Sequence, residues 1–251
     1  MPTALITGAS SGIGLELARI LARERYDLVL VARNGQKLEE LAAELKPAAV
    51  QVIAKDLTLP GATEDIHRAV GRVDVLVNNA GFTVFGKFAE TQLADELNMM
   101  QLNMTVVVLL TKLYLPGMIA AGSGRILNVA STAAFQPGPL MAIYYATKAF
   151  VLSFSEAIGN ELAGTGVTVT ALCPGPTASG FQERGKMQDS RLVKGKKIMD
   201  ARTVAEAGYR AMMAGKPVAI PGLKNKLLTQ SIRFSPRSMV TKVVRNLQEE
   251  V

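Results

Sequence analysis

The segment ITGASSGIGLELA, residues 6–18, restricts the possible folds of this chain more than any other stretch of its sequence. It places three glycines between an apolar run of strand length and a run with apolar residues at helical spacing. A strand, a glycine-rich turn and a helix in this order form the pyrophosphate-binding part of a dinucleotide fold. We predict that Gly8 makes the tight turn, Gly12 lets the backbone approach a phosphate and Gly14 allows close packing of helix on strand.

The helix that begins after this turn offers its first N–H groups to an anion. Neutral hydroxyls next to it can add hydrogen bonds without repelling a phosphate. The cofactor contacts predicted for this turn are Gly8, Ser10, Ser11, Gly12, Ile13 and Gly14.

Apolar, β-branched runs of strand length alternate with helical patterns along the chain, which predicts an α/β fold with one doubly wound, Rossmann-type parallel sheet and helices on both faces. The helix candidates between the strands cover residues 14–25, 37–45 and 149–164. The strand candidates are ALIT (4–7), LVLVA (28–32), AVQVIA (49–54), VDVLVN (73–78), RILNVAS (125–131) and VTVTALC (167–173). We expect residues 1–251 to form a single domain, since α/β folds reach this length before they divide.

Composition narrows the class of protein further. A hydrophobic fraction of 49% with 20% charged residues suits a sheet buried on both faces. The net charge of +7 is spread along the chain without interleaved aromatic residues, so we expect no nucleic-acid partner. The longest apolar run, 104–121, is interrupted by Lys112, Pro116 and Gly117, and we predict a buried helix and no membrane partner.

Two further features indicate a cytoplasmic protein. The N-terminal residues lead directly into the first strand without the basic and apolar signal segment of usual length. Cys173 is the one cysteine, so there is no disulfide framework, and we expect it to be a small buried apolar residue. His67, the one histidine, lies in a helix-like stretch far from the motifs; we expect a surface or cap position and no metal site.

The end of the second strand bears on the choice between the two nicotinamide dinucleotides. An acidic residue there would hydrogen-bond the ribose 2′-hydroxyl, whereas an arginine accommodates a 2′-phosphate. This chain has Ala32 at the strand end and Arg33 next to it, with Asn34 as a neutral neighbour. We therefore predict that Arg33 and Asn34 bind the cofactor and that the cofactor is NADP(H).

Five motifs in order resemble the short-chain dehydrogenase/reductase family over residues 3–180. They are TGASSGIG (7–14), NNAG (78–81), Ser131, YYATK (144–148) and PGPTAS (174–179). The strand end VARN, the sequence CPGP and the tail AIPGLKNKL (219–227) are also similar to the bacterial DltE-like oxidoreductases of that family. The resemblance implies hydride transfer between NADP(H) and a small-molecule carbonyl or alcohol substrate, in a homodimer or homotetramer that pairs the long helices at 91–121 and 142–163.

The resemblance also implies roles for individual residues. Asn103 is similar to the family's helix asparagine, which holds a water for proton relay. The family usually has threonine where this chain has Ser179, whose hydroxyl can still reach a carboxamide or a phosphate. The further cofactor contacts implied are Asp56 and Leu57 near the adenine ring, Asn79, Ala80 and Gly81 near the ribose, and Pro174, Gly175, Thr177 and Ser179 after the sixth strand.

Two adjacent tyrosines precede a lysine in YYATK. A nearby ammonium favours the phenolate, so Lys148 is expected to lower the pKa of a tyrosine that exchanges a proton with the substrate oxygen. Helical spacing lets both Tyr144 and Tyr145 approach Lys148. The family's Tyr-x-x-x-Lys pattern and the upstream Ser131 favour Tyr144, and Tyr145 is interpreted as a packing residue. The predicted catalytic residues are Ser131, Tyr144, Lys148 and Asn103, and both Tyr144 and Lys148 also contact the cofactor.

The chain beyond residue 176 loses the regular alternation. Residues 177–200 are polar, basic and without a strand period, which is typical of a lid, a binding segment or a disordered stretch, and we predict a lid over the substrate. Its cations, which could steer an anionic substrate or merely be solvated, are Arg184, Lys186, Arg191, Lys194, Lys196 and Lys197. A helix at 203–216, a strand at 217–222 and a helix at 236–250 with an apolar face are predicted to follow as a C-terminal tail.

Two other functions stay open, and a third is set aside. An NADP(H)-binding sensor or scaffold would keep the fold without turnover, although it would not need Ser131, Tyr144, Lys148 and Asn103 together. An epimerase of the extended kind usually carries a larger substrate domain, for which this chain has little room. A Ser–His hydrolase would need a nucleophile elbow, and the spacing of that motif is missing from the sequence.

Overall fold

The computed structural model describes residues 1–180 and 198–249, and its centre is a parallel sheet of seven strands. The strand order is β3-β2-β1-β4-β5-β6-β9, with every neighbouring pair parallel. These strands are β1 (Thr3–Thr7), β2 (Asp27–Ala32), β3 (Val50–Ala54), β4 (Val75–Asn78), β5 (Gly124–Val129), β6 (Val167–Leu172) and β9 (Val218–Ala219). A separate short parallel pair joins β7 (Thr177–Ala178) to β8 (Met199–Asp200).

Helices connect the strands and cover both faces of the sheet. Those between the first six strands are α1 (Gly12–Arg23), α2 (Gly35–Glu44), α3 (Ala62–Val70), α4 (Leu93–Met100), α5 (Val106–Ala120) and α6 (Ala142–Glu161). A π-helical turn, Gln101–Thr105, joins α4 to α5, and a 3-10 turn, Thr132–Phe135, follows β5. The C-terminal part contains α7 (Ala201–Met213), α8 (Leu223–Ser231), a 3-10 turn (Ile232–Phe234) and α9 (Arg237–Gln248).

Successive strand residues enter two different cores, because side chains alternate between the faces of a sheet. Ile6 of β1 packs with Leu17 of α1 in the first core, which α1, α2 and α7 cover. Leu5 packs with Leu110 of α5 in the second core, which α3, α5 and the end of α6 cover. Strands buried on both faces explain why the sequence shows continuous apolar runs rather than alternation.

The sheet reverses its order beside β1, which has β2 on one side and β4 on the other. In open α/β sheets a crevice forms at such a switch point, outside the carboxyl ends of the strands. The turn after β1, the segment after β4 and the segment after β5 all end at this edge of the sheet. The fold therefore places three of the five sequence motifs around one crevice.

The sequence predictions for the sheet and its flanking helices are confirmed, with small differences at element ends. The helix expected at 149–164 begins earlier, at Ala142, so Tyr144 and Lys148 lie in its first two turns. The helix at 223–231 was not predicted, because its leucines do not follow the spacing of a helix that buries one apolar face. Residues 177–200 were expected to lack strands, yet both ends of this segment pair as β7 and β8.

The basic residues of the predicted lid, from Arg184 to Lys197, lie outside the described residues. Any steering of an anionic substrate by these side chains stays a prediction. The expectation of a single domain also stays a prediction.

The stretch Leu93–Ala120 is one continuous helical segment of 28 residues, long and apolar enough to cross a membrane by length and composition. A core helix of a globular protein passes the same test. Val106, Leu110 and Met118 of this stretch are buried against the sheet, as the sequence predicted for residues 104–121. Leu93, Leu97 and Ile119 are exposed, so the burial is one-sided.

The predicted apolar face of the last helix is divided between buried and exposed positions. Val240 and Val244 of α9 are buried in a cluster with Tyr144 and Tyr145 of α6. Met239, Val243 and Leu247, from the same predicted face, are exposed. The body of the protein therefore covers two of the five residues of this face.

Replacing a central core leucine tests the arrangement of the sheet. Leu76 of β4 is fully buried, so Leu76→Ala is expected to lower the free energy of unfolding by about 2–5 kcal/mol through lost burial and the cavity left behind. Leu59, which is 56% exposed, provides the matched control, and Leu59→Ala should change the free energy of unfolding by less than about 0.5 kcal/mol. Denaturant unfolding measures both; equal effects would contradict this burial.

Candidate active site

The turn after β1 depends on glycine at three positions. Gly8 and Gly12 have φ angles of +66° and +58°, which side chains on L-residues rarely tolerate. A Cβ on Gly12 would lie 2.7 Å from Cβ of Ser179, and one on Gly14 would lie 2.5 Å from the carbonyl oxygen of Gly8. The turn, the helix start and the segment after β6 therefore meet so closely that backbone atoms form the surface of the crevice.

The N-terminus of α1 has spare hydrogen-bond donors. Ser11 is the N-cap residue, with extended backbone angles, and within the described chain its side chain makes no capping hydrogen bond. The first intrahelical bond runs from the Leu15 N–H to the Ser11 carbonyl, so helix geometry leaves the N–H groups of Gly12, Ile13 and Gly14 without a helical acceptor. Free N–H groups at the positive end of a helix are suited to a phosphate.

A buried threonine connects this turn to the neighbouring strand. The Thr7 hydroxyl accepts hydrogen bonds from the N–H groups of Asn79 and Ala80, each at 3.0 Å, and donates to the Val77 carbonyl at 3.2 Å. The Asn79 amide returns two bonds, to the carbonyls of Thr7 at 2.9 Å and Gly8 at 3.1 Å. These bonds hold the start of the NNAG segment against the glycine turn.

The far end of the crevice, beyond β2, is cationic. Arg33, Lys37 and Lys55 line it, and Ala32 leaves the strand end without a carboxylate. Asn34 is the N-cap of α2, and its side-chain oxygen accepts from the Lys37 N–H at 3.0 Å. Asn34 therefore caps the N-terminus of α2, a structural role that was not predicted from the sequence.

Asp56 and Leu57 line the same end of the crevice. Asp56 accepts from the backbone N–H of Thr58 at 2.9 Å and from the Thr58 hydroxyl at 2.8 Å, and these bonds lower the pKa of the Asp56 carboxyl. The ionised carboxylate is thus fixed by its own turn. Leu57 is buried in the second core and supports this turn from below.

The segment after β6 crosses the glycine turn from the other side. Pro174, Gly175, Thr177 and Ser179 all line the crevice. The Thr177 hydroxyl donates to the Gly175 carbonyl at 2.9 Å, and the Ser179 hydroxyl donates to the Thr177 carbonyl at 3.2 Å. This local network holds the segment in place above Gly12.

Ser131 and Tyr144 are hydrogen-bonded through their hydroxyl groups at the carboxyl end of β5. Ser131 is the N-cap of the 3-10 turn, and its oxygen accepts from the Ala133 N–H at 3.1 Å. Tyr144 lies in the first turn of α6 and is 8% exposed. The pair presents two hydroxyls from two different elements to the same part of the crevice.

Lys148 lies one helical turn further along α6, and its side chain is buried. Its Nζ donates to the Val129 carbonyl at 2.8 Å and lies 5.8 Å from the centre of the Tyr144 ring. The carbonyl at the end of β5 therefore fixes the ammonium near the Tyr144 ring.

The pKa values of this pair differ from the sequence expectation. Burial raises the pKa of Tyr144 above its ordinary value, and the hydrogen bond with Ser131 lowers it by less. Burial also lowers the pKa of Lys148, to about 8. The net pKa of Tyr144 is therefore raised in the protein alone, because the loss of hydration disfavours both charged forms, and a lowering contribution from Lys148 stays a prediction.

Asn103 lies in the π-helical turn between α4 and α5, a kind of bulge that is frequent at functional sites. Its amide donates to the Phe82 carbonyl at 3.0 Å and to the Thr147 hydroxyl at 3.2 Å, and its oxygen accepts from the Phe82 N–H. A Cβ on Gly81 would lie 3.0 Å from this oxygen and 3.6 Å from Lys148 Nζ. Only Gly81 therefore lies between the Asn103 side chain and Lys148 Nζ at this point, and the hydrogen bonds of Asn103 with Phe82 hold the segment after β4 in place.

Tyr145 points to a different neighbour from Tyr144. Its hydroxyl accepts a hydrogen bond of 2.5 Å from the amide of Gln248 in α9. Its ring packs against Gly138 and contacts the Tyr144 ring edge-on, with 6.0 Å between ring centres. Burial raises the pKa of Tyr145 to about 12.

All predicted contacts except Gly14, which is buried beneath the turn, and Asn103, which is behind Gly81, line one cavity of about 480 Å³. Sequence reasoning missed four residues: Thr7, Lys37, Thr147 and Gln248. Thr7 was visible inside the glycine motif and Lys37 beside Arg33, but nothing in the sequence indicated that Gln248 reaches Tyr145. Cys173 is buried as expected, and His67 is half-buried in the last turn of α3, where its ring packs edge-on against Tyr114 with 4.9 Å between ring centres.

Comparison with known proteins agrees with this geometry. The family model described as short chain dehydrogenase matches residues 2–189. The ketoacyl reductase HetN of Nostoc sp. is 34% identical over 218 residues, which cover 84% of this chain and 75% of that relative.

Three solved structures are also similar to the chain. A short-chain dehydrogenase from Sphingobium yanoikuyae in complex with NADPH has a TM-score of 0.83 at 32% identity, covering 93% of this chain and 94% of that one. The bulky-bulky ketone specific alcohol dehydrogenase from Comamonas testosteroni has a TM-score of 0.80 at 31% identity, covering 93% of each chain. A 3-ketoacyl-(acyl-carrier-protein) reductase from Brucella melitensis complexed with NADH has a TM-score of 0.76 at 29% identity, covering 87% and 95%.

The hydroxyl of Thr7 is the testable element of the crevice wall. Thr7→Val keeps the shape but leaves two backbone N–H groups without their acceptor, so the free energy of unfolding should fall by about 2–4 kcal/mol and NADPH should bind more weakly. Thr168 is the matched control, since its hydroxyl has no hydrogen-bond partner in the described part of the chain. Denaturant unfolding and a fluorescence titration with NADPH measure the two effects; a Thr7→Val protein as stable as Thr168→Val would contradict the role of Thr7.

Proposed function

Because the chain belongs to the short chain dehydrogenase family, we propose that it transfers a hydride between NADP(H) and a carbonyl or alcohol substrate. The observation that carries this proposal is the Ser131–Tyr144 hydroxyl pair with the buried Lys148 ammonium one turn away, all facing the cavity that begins at the glycine turn. Members of this family bind nicotinamide cofactors, and the free donors of α1 and the close backbone at Gly12 suit the pyrophosphate.

Ser131 and Tyr144 act on the substrate oxygen. When bound, the cofactor supplies or removes the hydride at the substrate carbon. The two hydroxyls donate hydrogen bonds to the carbonyl oxygen, and the Tyr144 hydroxyl gives it a proton as negative charge develops there. The raised pKa of Tyr144 keeps this proton in place at neutral pH, which suits the direction of reduction.

Lys148 and Asn103 complete the proton transfer. Once Tyr144 has given up its proton, the nearby ammonium of Lys148 stabilises the phenolate in a site with little water. Its pKa of about 8 keeps Lys148 mostly protonated at neutral pH and allows it to return a proton. Asn103 is a positioning residue, which holds the Phe82 backbone and Thr147 on either side of the route.

The preference for NADP(H) rests on the cationic end of the cavity. Arg33 and Lys37 provide charges that match a 2′-phosphate, and Ala32 presents no carboxylate to repel it. A relative in complex with NADPH supports this choice, whereas a relative complexed with NADH leaves both cofactors within the family.

Removing the Arg33 guanidinium tests the preference. In Arg33→Ala the ratio of NADPH to NADH affinity should fall about 10- to 100-fold, because a charge-assisted contact with the 2′-phosphate is lost while NADH has no such group. Arg23→Ala, at the exposed end of α1, is the control and should leave the ratio unchanged. Titration of both proteins with both cofactors measures it, and an unchanged ratio in Arg33→Ala would exclude Arg33 as the determinant.

The substrate side of the cavity favours an apolar carbonyl compound. Phe82, Leu102, Ala133, Met141 and Tyr145 line the cavity around the Ser131–Tyr144 pair. Apolar walls around two hydroxyl donors fit a ketone, an aldehyde or the acyl part of a 3-oxoacyl thioester. The named relatives act as ketoacyl reductases or on bulky ketones, which agrees with this class.

We also propose a homodimer or homotetramer, paired through the α4–α5 segment and α6. The α4–α5 segment exposes Leu93, Leu97 and Ile119, and α6 carries the stacked rings of Phe150 and Phe154. The cytoplasm remains the proposed location. A sensor without turnover is the alternative, and the experiment on Tyr144 distinguishes it.

Tyr144 and Tyr145 differ by one hydroxyl from phenylalanine, which makes them a matched pair. Tyr144→Phe should lower kcat for NADPH-dependent ketone reduction about 100- to 10,000-fold and still bind NADPH, because the proton donor is lost while the pyrophosphate site is intact. Tyr145→Phe should keep kcat and lose about 1 kcal/mol of stability with its Gln248 bond. NADPH absorbance follows turnover against ketones, aldehydes and 3-oxoacyl thioesters. An active Tyr144→Phe with an inactive Tyr145→Phe would overturn the assignment. Absence of turnover in the wild type would favour the sensor.

A further inference from the structure

The C-terminal cap, residues 223–248, comprises α8, the following 3-10 turn and α9. Its inner side contacts the body of the protein through a few buried residues. Thr229 of α8 and Val240, Val244 and Gln248 of α9 are buried. Val240 and Val244 pack in the cluster that contains Tyr144 and Tyr145. The cap therefore lies over the substrate side of the proposed active site.

Helix α8 has an inverted distribution of polarity. A helix on a water-facing surface normally turns its apolar residues inward. Here the buried position is Thr229, whereas Leu223 and Leu227 are 73% and 62% exposed, and Leu228 is exposed as well. Phe234, in the turn after α8, is 88% exposed. Water does not favour this arrangement, so the outer face of α8 indicates an apolar contact.

Helix α9 continues the exposed apolar surface. Met239, Val243 and Leu247 are spaced four residues apart and form one exposed stripe beside the buried Val240 and Val244. Seven large apolar side chains are thus exposed within one short segment: Leu223, Leu227, Leu228, Phe234, Met239, Val243 and Leu247. Single exposed apolar residues are ordinary, but a concentration of this kind marks a contact surface.

The same segment is strongly cationic. Residues 222–248 contain six basic residues and no aspartate or glutamate. Arg245 pairs with Glu249 at 3.1 Å. All six are exposed: Lys224, Lys226, Arg233, Arg237, Lys242 and Arg245. The partner therefore has to accept apolar side chains and a row of cations at the same surface.

We propose that the C-terminal cap docks on the surface of a lipid bilayer that contains anionic lipids. Leucine and phenylalanine side chains can enter the acyl boundary while lysine and arginine reach the headgroups, which is how amphipathic helices bind in the interface plane. Each cation near such a surface strengthens attachment. A second copy of the chain fits less well, since a symmetric contact would bring the same six cations face to face.

Docking at this surface would bring the bilayer close to the substrate wall. The inner residues of α9 contact Tyr144 and Tyr145, and the outer residues would contact the lipid. An apolar carbonyl substrate would then have a short path from the acyl region to the cavity. The proposal revises the sequence expectation of no membrane partner, but it concerns a peripheral contact and is independent of the reaction proposed above.

Vesicle flotation with the full chain tests the docking. Vesicles of phosphatidylcholine with about one-third phosphatidylglycerol are compared with pure phosphatidylcholine vesicles, at low and at high salt. The wild type should float with the anionic vesicles, and high salt or neutral vesicles should lower the bound fraction. Circular dichroism and NADPH titration without vesicles check that each variant is folded.

Two cap variants and one control separate the contributions. The first triple variant removes apolar contacts and carries Leu223→Ser, Leu227→Ser and Phe234→Ser. The second reverses charges and carries Lys224→Glu, Arg233→Glu and Lys242→Glu. Each set should lower binding to anionic vesicles about tenfold or more. The matched control replaces three exposed apolar residues that lie outside the cap and outside the proposed oligomer segments, Leu59, Phe88 and Met213, by serine and should bind as the wild type does.

Three results would overturn the proposal. The first is no binding of the wild type to either kind of vesicle, or equal binding of the wild type and the cap variants. The second is an oligomer in sedimentation velocity that the cap variants dissociate without any vesicle binding, which makes the cap an interface between copies. The third is binding of purified acyl carrier protein through the cap without vesicle binding, which makes the partner an acidic protein.

Discussion

The pairing of β1 with β4 is the constraint on which the site depends. The chain leaves β3 at one edge of the sheet and returns to the other side of β1, so two neighbouring loops diverge and leave a crevice between them. The Thr7 hydroxyl crosses this point, where it accepts the N–H groups of Asn79 and Ala80. This contact and the two bonds from the Asn79 side chain to the Thr7 and Gly8 carbonyls fix the separation between the glycine turn and the segment after β4. The position of Ser131 at the end of β5 follows from the same register, since β5 is the next strand beyond β4.

Burial sets the chemistry of the reacting groups. Tyr144 and Lys148 are both nearly excluded from water, which disfavours their charged forms, so the pKa of the first is raised and that of the second is lowered. The phenolate that remains when Tyr144 gives up its proton is therefore best stabilised by a positive charge at a fixed position, and the Val129 carbonyl fixes Lys148 there. The same exclusion of water strengthens the hydrogen bonds that Ser131 and Tyr144 donate to a carbonyl oxygen.

The sequence predicted those parts of the protein whose pattern is local. The apolar strand runs, the glycine spacing and the paired Tyr144 and Lys148 each lie within one element, so periodicity and motif order identified the sheet and most of the crevice. Contacts between distant segments could not be predicted from the sequence. The Gln248 amide bonds to Tyr145 across 103 positions, and no local pattern indicates this contact. Helix α8 was missed because its leucines point outward, against the rule that the prediction used. The net direction of the Tyr144 pKa shift was not predicted, because charge proximity can be inferred from spacing, whereas the extent of burial requires the fold.

Deuterium transfer tests the central claim most directly. The wild-type protein is incubated with NADPH that carries deuterium on the transferring face of the nicotinamide, together with apolar ketones, aldehydes and 3-oxoacyl thioesters. The account predicts an alcohol with one deuterium on the former carbonyl carbon for each NADPH oxidised, and its rate should depend on Tyr144. Binding of NADPH without deuterium in any product across these carbonyl classes would contradict the account and would leave a protein that holds the cofactor without using it.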